Sequence, residues 1–285
     1  MSAVLVTGAT GTVGSAVVQH LLERDQDVVA GVRADADAAR LPDGARPRRF
    51  EFGAPTHELE AAFDGVDRLF LMRPPPVEDV ATYLFPVIDA ARRRGVHQIV
   101  FLSLQGVQAN RRAPHHAVEA YLRQTGAPFT SLRPNFFMQN LSGTYVDQIR
   151  DHDEIFVPAG RSHTAFIDAR DIGRVAATVM IEPGHVGEAY TLSGEQSLTY
   201  RQVAQTLSDV LGRTITYRRP SEQEYLARLV AEGYPADYVA VQKMLYRIVR
   251  YNVSALPNRA VRRLTGRPAT TFREFAVDHR AVWER

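Results

Sequence analysis

The segment Val4-Leu5-Val6-Thr7-Gly8-Ala9-Thr10-Gly11-Thr12-Val13-Gly14 sets three glycines between an apolar strand and a helix whose apolar face is Val13, Ala16, Val17 and Leu21. This junction constrains the fold most, because a glycine-spaced turn from strand into helix is how a parallel sheet builds a seat for a dinucleotide. Gly8 permits the tight turn, Gly11 lets the backbone approach a pyrophosphate, and Gly14 lets the helix sit close to the sheet. The exposed N–H groups and the helix dipole then hold the anion.

The chain beyond the loop keeps the same rhythm. Short apolar runs at Ala3–Thr7, Asp27–Val32, Arg48–Phe52, Arg68–Met72, Gln98–Ser103 and Phe129–Arg133 predict strands. Helical patterns at Thr12–Arg24, Glu58–Phe63, Val77–Arg94 and Pro114–Thr125 lie between them. Strands alternating with helices predict an α/β fold, a doubly wound parallel sheet of Rossmann type. After Pro134, Ala165–Ile167 and Glu188–Leu192 read as further strands, and Asp171 as the N-cap of a helix to Ile181. From Thr199 the chain turns mainly helical. Thr199 caps Tyr200–Leu211, Gly212 stops it, and Ser221, Pro235 and Thr271 open later helices. The expected organisation is discontinuous: residues 1–135 and 160–182 form the dinucleotide-binding Rossmann domain, and 136–159 with 183–285 a smaller, mainly helical substrate-binding lobe.

Composition narrows the function. With 45% hydrophobic and 23% charged residues, the 285-residue chain has the apolar material for a core and is not disordered. It has no cysteine, which removes thiolate chemistry, disulfides and cysteine metal sites, and no histidine–carboxylate spacing suggests a metal. A net charge of +2 argues against nucleic acid, and no run of about 18 apolar residues suggests a membrane span. The start carries no basic, cleavable leader, so the expectation is cytoplasmic. The arginine clusters Arg92-Arg93-Arg94, Arg218-Arg219 and Arg262-Arg263 read as solvated faces or helix ends.

A dinucleotide site places an acidic residue about 20 residues on, at the second strand, to grip the ribose 2′-OH. Here that strand ends Gly31-Val32-Arg33. A guanidinium there suits a 2′-phosphate, which favours NADP(H). The alternative is a solvated Arg33 with Asp35 or Asp37 meeting the ribose. Many enzymes with such a loop use a Tyr-x-x-x-Lys pair as proton donor. The only lysine, Lys243, lies in the helical tail, and no tyrosine stands four positions before His115, so that pair cannot form. Two other groups qualify. Ser103 ends the fifth strand at the carboxyl edge where α/β sheets bind ligands, with a turn-capping hydroxyl as its bland alternative. His115 opens a helix with Glu119 four positions on, so the two can face each other and relay a proton, although a histidine beside a helix N-terminus is more often merely packed or hydrogen-bonded. Tyr121 reads as core, and the tail aromatics Tyr225, Tyr234, Tyr238, Tyr246 and Tyr251 mostly as packing, with one or two shaping a substrate pocket.

With the glycine loop, Arg33, the stretch Leu132-Arg133-Pro134-Asn135-Phe136-Phe137-Met138-Gln139-Asn140 and the closing Leu264-Thr265-Gly266-Arg267-Pro268, the sequence resembles the NmrA-like family, an atypical branch of the short-chain dehydrogenase/reductase superfamily. The resemblance implies a Rossmann domain carrying NADP(H), with Gly8, Thr10, Gly11, Thr12 and Val13 on the pyrophosphate and Arg33 on the 2′-phosphate. It places Phe52 beside adenine, following Glu51 where relatives often carry Asp. Leu71, Met72, Arg73, Ser103, Pro134, Asn135 and Phe136 would line ribose and nicotinamide. His115 stands where relatives carry Lys or His. Two functions fit. One is an NADPH-dependent reductase passing hydride to a small electron-poor acceptor such as a quinone, azo compound or imine; the other is a non-catalytic NADP(H)-sensing regulator. A monomer or homodimer acting on a small molecule is expected.

Overall fold

A computed structural model describes residues 3–75 and 77–285. Met1, Ser2 and Pro76 lie outside the described residues, and so does the side chain of Asp35, the alternative ribose ligand.

The strands in chain order are β1 (Ala3–Val6), β2 (Val28–Val32), β3 (Arg46–Arg49), β4 (Val66–Met72), β5 (Gln98–Leu102), β6 (Phe129–Pro134), β7 (Glu154–Ile155), β8 (His163–Thr164), β9 (Ala189–Leu192), β10 (Leu198–Thr199) and β11 (Thr216–Tyr217). The helices are α1 (Thr12–Leu22), α2 (Asp35–Ala38), α3 (Thr56–Ala61), α4 (Val80–Tyr83), α5 (Phe85–Arg93), α6 (Pro114–Gln124), α7 (Gln139–Ser142), α8 (Val146–His152), α9 (Ala169–Ile181), α10 (Tyr200–Leu211), α11 (Glu222–Ala231), α12 (Ala236–Arg250), α13 (Ala260–Thr265), α14 (Phe272–Asp278) and α15 (Arg280–Trp283).

The chain divides into two compact units. The first comprises Met1–Pro134, Ala169–Leu192 and Ala260–Arg267, the second Asn135–Asp168, Ser193–Arg259 and Pro268–Arg285. The first is built on a parallel seven-stranded sheet, ordered β3-β2-β1-β4-β5-β6-β9. Strands β1 and β5 are buried at every position, as strands covered on both faces must be. The order reverses between β1 and β4, so the glycine turn after β1 lies at the switch point, where such sheets open a crevice for ligands. Helices α1 and α9 lie so close that a Cβ on Gly173 would sit 2.6–2.8 Å from Ala16.

Several expectations shift for local reasons. Strand β3 is the exposed edge run Arg46-Pro47-Arg48-Arg49, two residues before the expected start, and Phe50 leaves it to enter the core. A proline is tolerated there because an edge strand needs fewer N–H donors. The single helix expected over Val77–Arg94 breaks at Leu84, where Pro86 enters the first turn of α5. Helix α9 starts at Ala169, so Asp171 is a buried first-turn residue beside Arg174 at 3.2 Å rather than an N-cap. Ala165–Ile167 forms only an isolated bridge to Phe137, and β8 precedes it. The sheet-bearing unit resumes at Ala169 rather than 160 and runs to Leu192 rather than 182, taking in the seventh strand, and Ala260–Arg267 with α13 also belongs to it.

The second unit is mainly helical. Thr199, Ser221 and Thr271 each close a capping box with Gln202, Glu224 and Glu274, and Gly212 ends α10 at φ +68°. Its core holds the buried phenols of Tyr145, Tyr200, Tyr225 and Tyr246. Tyr246 donates to Tyr145 at 2.6 Å and Tyr225 to Gln242 at 3.0 Å, so these two phenols are partnered as burial demands. Trp283 closes the unit by donating Nε1–H to the Leu141 carbonyl at 2.9 Å.

Candidate functional site

The glycine loop is built by steric necessity. Gly8 has φ +63°, and a Cβ there would lie 2.4 Å from the Met72 sulfur. A Cβ on Gly14 would lie 2.0 Å from the Gly8 carbonyl oxygen. The third glycine therefore lets the first turn of α1 fold onto the loop itself, rather than onto the sheet as expected. Gly11 caps α1 without a side-chain hydrogen bond, so no side chain competes for the first-turn N–H groups. Thr7, unremarked in the sequence, anchors the turn: its hydroxyl donates to Phe70 O and accepts from Met72 N, both at 3.0 Å.

Arg33 is exposed just past the end of β2 and forms no ion pair with any described residue. Arg40, which sequence reasoning passed over, donates to the Thr10 carbonyl at 3.3 Å and stands 3.7 Å from Asp37. Asp37 is thus drawn toward Arg40. An open helix N-terminus at a turn only glycines can make, with an unpaired arginine at the neighbouring strand end, fits a phosphorylated dinucleotide.

Next to the loop, parallel register sets Met72 of β4 opposite Leu102 of β5, so Arg73 and Ser103 follow side by side at the carboxyl edge. Leu71 is wholly buried among core residues, which leaves only its backbone to line a ligand. Arg73 folds back on its own loop, its Nη1 donating to the carbonyls of Pro74, Pro75 and Val77 at 2.6–3.1 Å, and burial lowers its pKa. His115, in the first turn of α6, is half-buried. Desolvation first, then the Arg73 charge, push its pKa down to about 4 against a weaker opposing pull from Glu119. The imidazole is therefore neutral near pH 7.

The expected His115–Glu119 relay does not form. Glu119 is 1% exposed and takes both ends of the Arg133 fork, Nε at 2.9 Å and Nη2 at 2.6 Å, with Arg123 at 2.8 Å. Burial works to raise its pKa, but these arginines and the neighbouring Ser103 hydroxyl hold it low. Ser103 Oγ, although close, makes no hydrogen bond of ordinary geometry. The sequence signal for this pair was available: an arginine inside the apolar strand Phe129–Pro134 must find a buried carboxylate. Tyr121, expected in the core, is half-buried, stacks on Phe85 at 3.8 Å and donates to Asp89 at 2.9 Å.

The remaining predicted residues divide by role. Phe52 is half-buried beside Phe50, edge to face at 5.1 Å. Pro134 ends β6. Asn135 spends its amide inside the second unit, Nδ2 donating to Ser254 O and Oδ1 accepting from Phe136 N, both at 2.8 Å, and Phe136 packs on that unit's core. The Asn135 side chain is thus engaged in structure. Lys243 is exposed on α12. Among the described residues no metal-ligand cluster occurs, and no helix is long and apolar enough to cross a membrane.

The family model for NmrA-like proteins matches residues 1–276. The chain belongs to the NmrA-like family. This member is 33% identical to an NAD(P)H azoreductase of Xenophilus azovorans, over 98% of the chain and 99% of the relative. Its fold superposes on the NADPH-dependent quinone oxidoreductase QOR2 of Escherichia coli, solved with NADPH, with a TM-score of 0.87 at 27% identity, covering 96% of this chain and 99% of that one. The triphenylmethane reductase of Citrobacter sp., solved with NADP(H), follows at 0.85 and 26%, covering 97% and 99%.

Proposed function

We propose that this NmrA-like protein is an NADPH-dependent reductase that passes hydride to a small, electron-poor organic acceptor such as a quinone, azo compound or imine. The observation that carries this reading is the uncapped α1 N-terminus at the glycine turn together with the unpaired Arg33. Relatives named as an azoreductase and as quinone and triphenylmethane reductases, similar over nearly their whole length, support it.

Gly8, Thr10, Gly11, Thr12 and Val13 surround the pyrophosphate, which the open N–H groups of the α1 first turn hold while the Gly11 N–H closes the turn onto the Gly8 carbonyl at 2.9 Å, and Arg33 holds the 2′-phosphate. Phe52 flanks adenine. Met72, Arg73, Ser103, His115 and Pro134, with backbone from Leu71, line the ribose and nicotinamide end. When bound, the cofactor supplies the hydride. Ser103 and the neutral His115 are the catalytic candidates: each can donate a hydrogen bond to the acceptor, and neither needs a lysine beside it. The protein's contribution is then orientation and exclusion of water more than acid strength.

The test follows NADPH absorbance at 340 nm with purified protein and a panel of quinones, azo dyes and iminium acceptors, with NADH in parallel. Acceptor-dependent oxidation that favours NADPH is the expected result. Silence across the panel, with NADPH bound, would turn the reading toward a cofactor-sensing protein.

A further inference from the structure

The two faces of the sheet are unevenly covered at its β9 end. Residues paired across parallel strands point to the same side, and the pairings of Ile99 with Phe129 and of Ser131 with Ala189 set Phe129, Arg133 and Ala189 on the face where α5 and α6 pack. The helix that leads into β9, α9, lies on the other face against α1. No crossover helix therefore covers β9 on the α6 face, and a cavity of about 350 Å³ opens there between the end of α6 and strands β6 and β9. Its volume suits a small organic molecule. In the sheet order β4 and β5 separate it from β1 and the glycine turn, and none of the residues around it is placed on the cofactor.

Leu122, Ala127 and Phe129 give the cavity an apolar floor, and Arg133 and Arg123 stand beside it. The two arginines share one buried carboxylate, Glu119. Arg133 spends Nε and Nη2 on Glu119 and keeps Nη1, whereas Arg123 spends Nη2 and keeps Nε and Nη1. The remaining N–H groups meet no acceptor among the described residues, and two cations against one anion leave the wall with a net positive charge. The Arg133 side chain is 12% exposed, so water and salt screen its charge far less than that of the open Arg123. Glu188 also borders the cavity. Alternation along β9 sends its side chain with that of Tyr190 to the opposite face, where Tyr190 meets His185 Nδ1 at 2.8 Å and feels the Glu188 charge.

We infer that this cavity is a ligand site separate from the cofactor seat, for a small amphiphilic monocarboxylate. The apolar body lies on Leu122, Ala127 and Phe129, and the carboxylate accepts from the free nitrogens of Arg133 and Arg123. A monoanion matches the single net charge. A dianion would draw both arginines from Glu119 and strand that buried carboxylate, and a neutral ligand would cover guanidinium N–H groups without giving them an acceptor.

The probe is 2-naphthoate, titrated by calorimetry into the purified protein at pH 7.5 with and without saturating NADPH, and 2-naphthalenemethanol is the neutral control. Saturable binding with a Kd of about 1 mM or tighter is expected, unchanged by NADPH. The alcohol should bind about tenfold more weakly. Ala189→Trp, at an exposed position of the edge strand, should fill the cavity and abolish binding, and Arg123→Met should weaken it about fivefold, with NADPH affinity unchanged in both. No saturable binding by several millimolar, equal affinity for acid and alcohol, displacement by NADPH, or full binding to Ala189→Trp would each overturn the site. Should Ala189→Trp fail to fold in a thermal scan, Arg123→Met decides, and undiminished binding to it overturns the assignment.

Discussion

His115 stays neutral across the physiological range because desolvation and the Arg73 charge push its pKa down to about 4. In the unfolded chain it titrates near 6.5. Between those values the unfolded state takes up a proton that the folded state refuses, so stability falls as pH drops from about 6.5 to about 4 and changes no further below it. The contribution is on the order of 3 kcal/mol. Urea titrations at pH 7.5 and 4.5 should therefore show a smaller acid loss for His115→Gln than for the wild type. Arg33 makes a second prediction at this scale. Arg33→Asp should raise the Kd for NADPH far more than for NADH, read by nucleotide fluorescence; equal losses would remove the 2′-phosphate assignment. His115 was visible in the sequence from its place at a helix start, and Arg33 from its place at a strand end. Their surroundings were not: four-residue spacing pointed His115 to Glu119, whereas Glu119 answers to Arg133, 14 positions away.

At the scale of elements, that pair ties α6 to β6 in a buried setting. Removing one partner strands the other charge, so Glu119→Ala should cost about 3–5 kcal/mol in chemical denaturation, and more than Arg123→Ala, whose partner retains Arg133. The elements themselves were largely legible. Thr199, Ser221 and Thr271 start helices because each hydroxyl accepts from a backbone N–H three residues on, a signal contained in four consecutive letters. Boundaries set by packing were not. The arginine-rich β3 carries no apolar pattern and is a strand because β2 offers it hydrogen bonds, Gly31 and Val32 facing Arg48 and Arg49.

For the whole molecule, cofactor binding and folding are linked. NADPH at about a hundredfold excess over its Kd should stabilise the native state by about 2.7 kcal/mol, and a thermal scan should show the Tm rising by several degrees, with NADH at the same concentration doing less. The sequence by itself determined the α/β class, the glycine seat for a dinucleotide, the arginine at the second strand and the absence of a tyrosine–lysine pair, because each resides in local spacing or in the identity of a single residue. Only the tertiary structure decided that Gly14 spares the loop rather than the sheet, that the seventh strand and α13 join the sheet, that Asn135 serves its own unit, and that Glu119 pairs with Arg133. Those are facts about atoms brought together from distant parts of the chain, and neither periodicity nor capping chemistry carries information over that range.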